Sequence, residues 1–287
     1  MIKSLESFKP NAHWVEGGVG KHIMFTALFE KLIEKYNQKL EIICGFPLIY
    51  NDHPLVAASD FPHPFFADHT ATKYKNYNKI IHHDPYKGSS YFLKGEKHLI
   101  DSWAEMYEIK DVEKIPHFYF STIREKELKN EILKLGKFIL VQFTGGQAEF
   151  IPSAYNRDNW GRNYKYGQEV VNLLKEALPD INIISFNHLN ESDPLLNTLT
   201  TIFQDRQDFM ILAKYCISFI CIDSALQHIC SNKNFNKKGV VMWGRTSPSQ
   251  FGYEKNINMQ SDYPYTVEIK PQLIVDNFLS LEIDNEI

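Results

Sequence analysis

The chain is poor in cysteine and has no long apolar run. Four cysteines occur in 287 residues: Cys44, Cys216, Cys221 and Cys230. No two are spaced as Cys-x-x-Cys, and each lies in or beside an apolar run such as IICGF or ISFICID. That placement predicts buried free thiols in a reducing compartment. No apolar run reaches the ~18 residues that span a bilayer. The opening MIKSLESFKP lacks the apolar core of a secretory signal. A cytoplasmic protein without stable membrane insertion is expected. An excess of positive charge is also missing. Lys and Arg number 31 against 35 Asp and Glu, a formal net charge of -4 with no basic tail. This is not the electrostatic footprint of a non-specific nucleic-acid binder. Solenoid-period repeats and low-complexity segments are absent too.

What is present is core material. Hydrophobic residues make up 44% and aromatics 14%, which excludes global disorder. At roughly 150 residues per domain, the length fits two modest domains. Short apolar runs alternate with helical patterns, the sign of parallel sheets with crossover helices. In the first half, AHWV reads as a strand running into the glycine-rich EGGVG. Residues 21–36 read as one helix, LEIICGF and NKIIHH as strands, and HLIDSWAEMYEI as a helix. STIREKELKNEILKLG is a charged helix capped by Gly136. A second series follows: FILVQF, INIISF, ISFICID and KKGVVMW as strands, with helices between them. The expected architecture is therefore α/β, with Rossmann-like domains at 1–125 and 126–287 facing a central cleft. The last apolar helix, PQLIVDNFLSL, is expected to pack back on the first domain. Ligands of such sheets bind beyond the carboxyl ends of the strands.

Four segments carry candidate chemistry. The first is ISFICIDSALQHICS with KKGVVMWGRTSPSQFGY. An apolar strand ends at Asp223 and a helix starts at once, with Asp223 or Ser224 as its cap and His228 one turn on. The second is FILVQFTGGQAEF with YNRDNWGRNY. The strand end at Thr144, Gly145 and Gly146 lets backbone amides approach an anion. The third is EGGVGKHIMFTALFEKL, with Gly18 and Gly20 in the turn. The fourth is histidine-rich: His63, Asp68 and His69, then His82, His83 and Asp84. Its spacing fits no metal signature, and it reads as plain loop or as an acceptor-binding surface.

DSALQHICS resembles the D-[ST]-G-x-x-H-x-A-A signature of glycosyltransferase family 9, the heptosyltransferase-like enzymes. Asp223, Ser224 and His228 match, and Ala225 replaces the usual glycine. WGRTSPSQFGY is similar to the family's G-x-T-[SD]-P segment at Gly244, Thr246, Ser247 and Pro248. FTGG resembles its N-P-G-A loop, and EGGVGKHIMFTALF its glycine-rich opening turn. The resemblance implies a GT-B architecture and a nucleotide-diphosphate sugar as donor substrate, with no further cofactor. It implies that Asp223, Ser224 and His228 hold that donor, that the loop of Trp243, Gly244, Arg245 and Thr246 lines its base or ribose, and that Thr144, Gly145 and Gly146 meet its diphosphate. It also implies an inverting, metal-independent transfer to a surface or lipid-linked glycan such as a lipopolysaccharide core. Two departures stand out. The family's lysine before Trp160 falls at Asp158, leaving Arg157 or Arg162 as the cation. The aspartate of the opening turn, the expected general base, falls at Lys21. Glu16, His22, His13 and Asp68 remain as bases, or Lys21 neutralises the leaving diphosphate. An alternative acceptor is a hydroxymethylated base in DNA, met by Lys73, Lys75, Lys79 and Lys87. A non-catalytic sugar-nucleotide-binding protein is the reading from another class.

Overall fold

The computed structural model describes residues 9–60, 75, 77–145, 163–185, 206–263 and 267–281. Two open parallel sheets are built from them. Strands β1 (Asn11–Val15), β2 (Leu40–Cys44), β3 (Val56–Asp60) and β4 (Lys79–Ile81) lie in the order β3-β2-β1-β4. Strands β5 (Phe138–Gln142), β6 (Asn182–Ser185), β7 (Ser218–Ile222), β8 (Gly239–Trp243) and β9 (Ile257–Gln260) lie in the order β6-β5-β7-β8-β9. Every pairing between these strands is parallel.

The helices are α1 (Val19–Phe25), α2 (Phe29–Tyr36), α3 (Pro85–Gly88), α4 (Ser90–Leu93), α5 (Leu99–Met106), α6 (Thr122–Lys134), α7 (Gly167–Ala177), α8 (Arg206–Tyr215), α9 (Ala225–Cys230), α10 (Pro248–Phe251) and α11 (Pro271–Leu279). Strands β5, β7 and β8 are buried along their whole length. Both faces of the second sheet are covered, which is why FILVQ, SFICI and GVVMW read as continuous apolar runs rather than alternating ones. Alternate residues serve different layers. Phe138, Leu140, Phe219, Cys221, Val241 and Trp243 join a core that continues into the first sheet's layer through Phe25, Leu28 and Trp103. Ile139, Val141, Ile220, Ile222, Val240 and Met242 face a separate core with α7 and α11.

The expected elements are found with three exceptions. The single helix over 21–36 is broken by a 3-10 turn at Thr26–Leu28. Thr26 supplies the cause: its hydroxyl donates back to the Ile23 carbonyl at 2.6 Å and accepts from the His117 amide at 2.9 Å. Helix α11 does not pack on the first sheet. Its Ile274, Val275 and Phe278 complete the outer core of the second sheet, against Val170 and Leu174 of α7. Strands β3 and β9 carry too little apolar pattern to be expected. The four cysteines are free and buried, as anticipated.

The two sheets meet through α1 and α9, which pack against each other. A Cβ on Gly20 would lie 2.7 Å from His228 Cδ2 and 3.7 Å from Ala225 Cα. His228 cannot yield easily, because its Nδ1 sits 2.7 Å from the hydroxyl of buried Tyr253. Ser249 donates to the Gly95 carbonyl at 2.6 Å and Gln250 to the Phe92 carbonyl at 2.9 Å, fastening α10 to the first layer. Gly20→Ala is expected to cost about 1 kcal/mol in urea unfolding, the overpacking outweighing the gain in helix propensity. In a His228→Ala background the same change should be neutral or stabilising. Additive effects would show that the contact is not tight.

Candidate active site

Parallel sheets offer a ligand site where the strand order reverses, beyond the carboxyl ends. In the first sheet that point lies between β1 and β4, in the second between β5 and β7. The segments leaving those strands are Glu16–Gly20, His82–Asp84, Phe143–Gly145 and Asp223–Ser224. All four are among the segments singled out by sequence, and the α1–α9 contact brings the two groups together.

On the first side the turn depends on Gly17. Its φ is +109°, and a Cβ there would meet Lys21 Cδ at 2.7 Å. Gly18, by contrast, faces open space and is the extended residue before α1. Lys21 turns inward. Its Nζ donates to Asp84 Oδ1 at 2.7 Å and sits 4.7 Å from the Tyr86 ring centroid. Both side chains are nearly buried, 11% and 8% exposed. Lys87 Nζ continues the chain of charges, 3.6 Å from Asp84 Oδ2 and 3.1 Å from Glu16 Oε2. His82 Nε2 lies 3.5 Å from the same Glu16 oxygen. Glu16 is the open carboxylate of the group, with 40% of its side chain exposed.

Three expectations for this side change. His22 is fully buried. Its Nε2 donates to the Gly17 carbonyl at 3.2 Å, and its Nδ1 lies 3.0 Å from the Tyr50 hydroxyl, which donates to the His22 carbonyl at 3.1 Å. Burial, with the Lys21 charge adding, pulls its pKa down to about 4 against the pull of the Gly17 carbonyl. Both nitrogens are engaged, so His22 is removed as a base. His13 is likewise buried, its ring 3.1 Å from the Tyr107 hydroxyl. Asp84, set aside by sequence as part of a histidine-rich loop, instead joins Glu16. The register makes this legible afterwards: His13 pairs with Ile81, so the residues just past β1 and β4 lie side by side. Ligand atoms of Glu16, His82 and Asp84 lie within 4.8 Å of one another, close enough for a metal ion. Lys21 and Lys87 already neutralise those carboxylates, so an added dication would compete with both.

On the second side Asp223 is buried and inward. Its Oδ2 accepts from the Thr246 hydroxyl at 2.6 Å and its Oδ1 from Gln227 Nε2 at 3.1 Å. It therefore ties the loop after β8 to α9. Ser224 is the residue before α9, but its side chain caps nothing. Trp243 does not line a ligand surface. It is fully buried in β8, and its Nε1 donates to Asn258 Oδ1 at 3.0 Å. The Gly244 carbonyl accepts from Gln260 at 2.8 Å, Arg245 is exposed, and His228 is committed to Tyr253 and Gly20. Thr144 bridges to Asn163, while Thr144 and Gly145 stay half-exposed. Asp68, Gly146, Arg157, Asp158, Trp160 and Arg162 lie outside the described residues.

No family profile and no curated protein sequence matches the chain. Solved structures do match. A glycosyl transferase family 9 protein from Veillonella parvula DSM 2008 superposes with a TM-score of 0.62 at 10% identity, over 94% of this chain and 96% of that one. The chain shares that structure's fold. E. coli ADP-heptose lps heptosyltransferase II gives a TM-score of 0.58 at 13% identity, over 93% of this chain and 97% of that one. E. coli heptosyltransferase WaaC with ADP gives 0.58 at 10%, over 93% and 98%. The expected GT-B-like pair of Rossmann-like sheets is thus shared along almost the whole length.

The Lys21–Asp84 pair makes a pH prediction. Burial opposes the Asp84 charge, but hydrogen bonding to Lys21, that cation's charge and the Tyr86 amide outweigh it and hold the carboxyl below its usual range. The folded pKa lies below the unfolded one, so the stabilisation is complete above the unfolded value of about 3.9 and is lost as pH falls through the folded one. Asp84→Asn should remove that acid-side slope and cost about 2 kcal/mol at neutral pH, read by urea unfolding across pH. Adding Lys21→Met should recover much of the loss. An unchanged slope in Asp84→Asn would show the pair is not an ionic contact.

Proposed function

We propose that this protein is an enzyme that transfers a sugar from a nucleoside-diphosphate sugar to an acceptor hydroxyl. One observation carries the reading: the switch points of two parallel sheets face each other, with carboxylates on one and half-exposed loop backbone on the other. The donor lies on the second side. Its diphosphate runs along the Thr144–Gly145 backbone, with exposed Arg245 nearby as counter-charge. The loop 244–246, held by Asp223, borders it. The acceptor enters from the first side.

Glu16 is the general base of this scheme. It is the exposed member of the carboxylate pair, and Lys87 and His82 orient it. Lys21 neither takes the proton nor leaves a carboxylate missing, because it fixes Asp84 beside Glu16. In the reaction the acceptor oxygen attacks the anomeric carbon and its proton passes to Glu16. The bond from that carbon to the diphosphate breaks, and the electron pair leaves on the diphosphate. Base and leaving group sit on opposite sheets, so displacement is in line and the anomeric configuration inverts. The lysines that balance the first-side carboxylates support a metal-independent reaction. An open carboxylate at the mouth of this site, backed by buried Asp84, favours catalysis over sugar-nucleotide binding alone.

The acceptor we assign is a surface or lipid-linked glycan, reached in the cytoplasm. Among the described residues no helix is long and apolar enough to cross a membrane. The matched heptosyltransferases, one of them an lps enzyme, support a glycan over DNA. Of the lysines considered for a DNA backbone, Lys87 is turned onto Glu16.

The test is nucleoside-diphosphate release from ADP-heptose, UDP-glucose and GDP-mannose, with and without lipopolysaccharide-core acceptors. Glu16→Gln should lower acceptor-dependent release by about 10²-fold or more while calorimetric donor affinity stays within a factor of two. A wild-type protein that binds none of these donors would overturn the proposal. Full activity of Glu16→Gln would overturn the choice of base.

A further inference from the structure

Two carboxamides beneath the second switch point are locked the same way round. Gln142, the last residue of β5, donates its Nε2 to the Thr144 carbonyl at 3.2 Å. Gln227, in the first turn of α9, donates its Nε2 to Asp223 Oδ1 at 3.1 Å. A carbonyl and a carboxylate only accept, so neither amide can be flipped without setting oxygen against oxygen. The consequence is the same twice: Gln142 Oε1 and Gln227 Oε1, two of eight such side-chain atoms, are buried and accept no hydrogen bond from the described residues. Such atoms are rare in folded proteins, and each calls for a reason.

Their placement supplies one. Gln142 pairs with Cys221 across β5 and β7, and Asp223 follows two residues on along the same face. Strand geometry puts the two positions about 8 Å apart, the width of one sugar ring. Gln227 stands beside Asp223 by its own hydrogen bond. Gln142, Asp223 and Gln227 thus lie together, buried, between β5 and β7, and the two amide oxygens are the acceptors among them left without a partner. Half-exposed Thr144, Gly145, Ser224, Ala225 and Thr246 form the rim above this floor. A phosphate has no donors at neutral pH and would meet only like dipoles and a carboxylate there. A ring bearing hydroxyls would meet acceptors.

We propose that Gln142 is a specificity-determining residue whose side-chain oxygen accepts a hydrogen bond from a ring hydroxyl of the ligand. The floor selects an uncharged polyhydroxylated ring, and the diphosphate is kept to the rim. The inference rests on the transferase reading and narrows it: either the transferred sugar or the ribose lies on this floor, and the two share the chemistry.

The experiment measures calorimetric affinity of wild type and Gln142→Met for ADP-heptose, UDP-glucose and GDP-mannose, and for free ADP, UDP and GDP. For the donor that wild type prefers, Gln142→Met should weaken binding by roughly tenfold, the size of one hydrogen bond. Loss confined to the sugar-bearing form places the transferred sugar on the floor. Equal loss for the free diphosphate places the ribose there. Circular dichroism and thermal unfolding establish that the variant is folded. Should it not fold, wild type alone decides, using analogues of the preferred donor in which single hydroxyls of either ring are replaced by fluorine. Fluorine cannot donate, so one position should lose about tenfold. Wild type that binds a donor, with neither the variant nor any fluoro analogue weakened, overturns this inference and leaves the transferase reading standing. Wild type that binds none of the six overturns both.

Discussion

The contact of Gly20 with His228 sets the distance between two sheets that otherwise would be separate ligand-binding units. A parallel sheet alone provides one switch point, with backbone and side chains on one side of any ligand. Chemistry between two substrates needs groups on both sides. Packing α1 against α9 provides them, because each helix begins directly at its own switch point. The helices can approach closely only because position 20 lacks a Cβ and because Tyr253 holds the imidazole in place. The close approach of the sheets and the composition of the site thus follow from the same few atoms.

The charge arrangement on the first side depends on that framework. A lysine stands where an aspartate is expected from the family-like opening turn. Read alone, that exchange argues against catalysis. In the fold it does not, because Lys21 is nearly buried and its charge is matched by Asp84 from the neighbouring strand. The lysine does not abolish the carboxylate at this edge. It relocates it, and the second lysine, Lys87, ties the relocated group to Glu16. The network has two carboxylates and two ammoniums, so it is balanced within itself. That balance leaves Glu16 open without leaving an uncompensated buried charge.

The sequence was informative where local pattern decides structure. Continuous apolar runs marked β5, β7 and β8, and Gly136 marked the end of α6, where its φ is +63°. The segments at both switch points were also legible, since a strand running into glycine or Asp-Ser is a short-range signal. Pairings between distant segments were not. Nothing local joins Lys21 to Asp84 across 63 residues, or the Thr26 hydroxyl to the amide of His117. The same limit explains Trp243 and His22. Each sits inside a motif that invites a functional role, and each is used by the fold: one fills the core, the other braces the turn through Gly17 and Tyr50.

Asp223 shows how motif and fold divide the work. Its carboxylate is buried and receives hydrogen bonds from Thr246 and Gln227, so its first effect is to place the loop after β8 and the start of α9 in fixed relation. Holding Gln227 by its nitrogen fixes the amide oxygen on the side away from Asp223. Gln142 is fixed in the same sense by the Thr144 carbonyl. The floor of the second switch point is therefore pre-oriented to accept hydrogen bonds before any ligand arrives. Reorienting those dipoles would mean breaking the bonds that position the loops. The residue type that looks most reactive in the sequence is here an anchor, and the neutral amides beside it carry the selectivity.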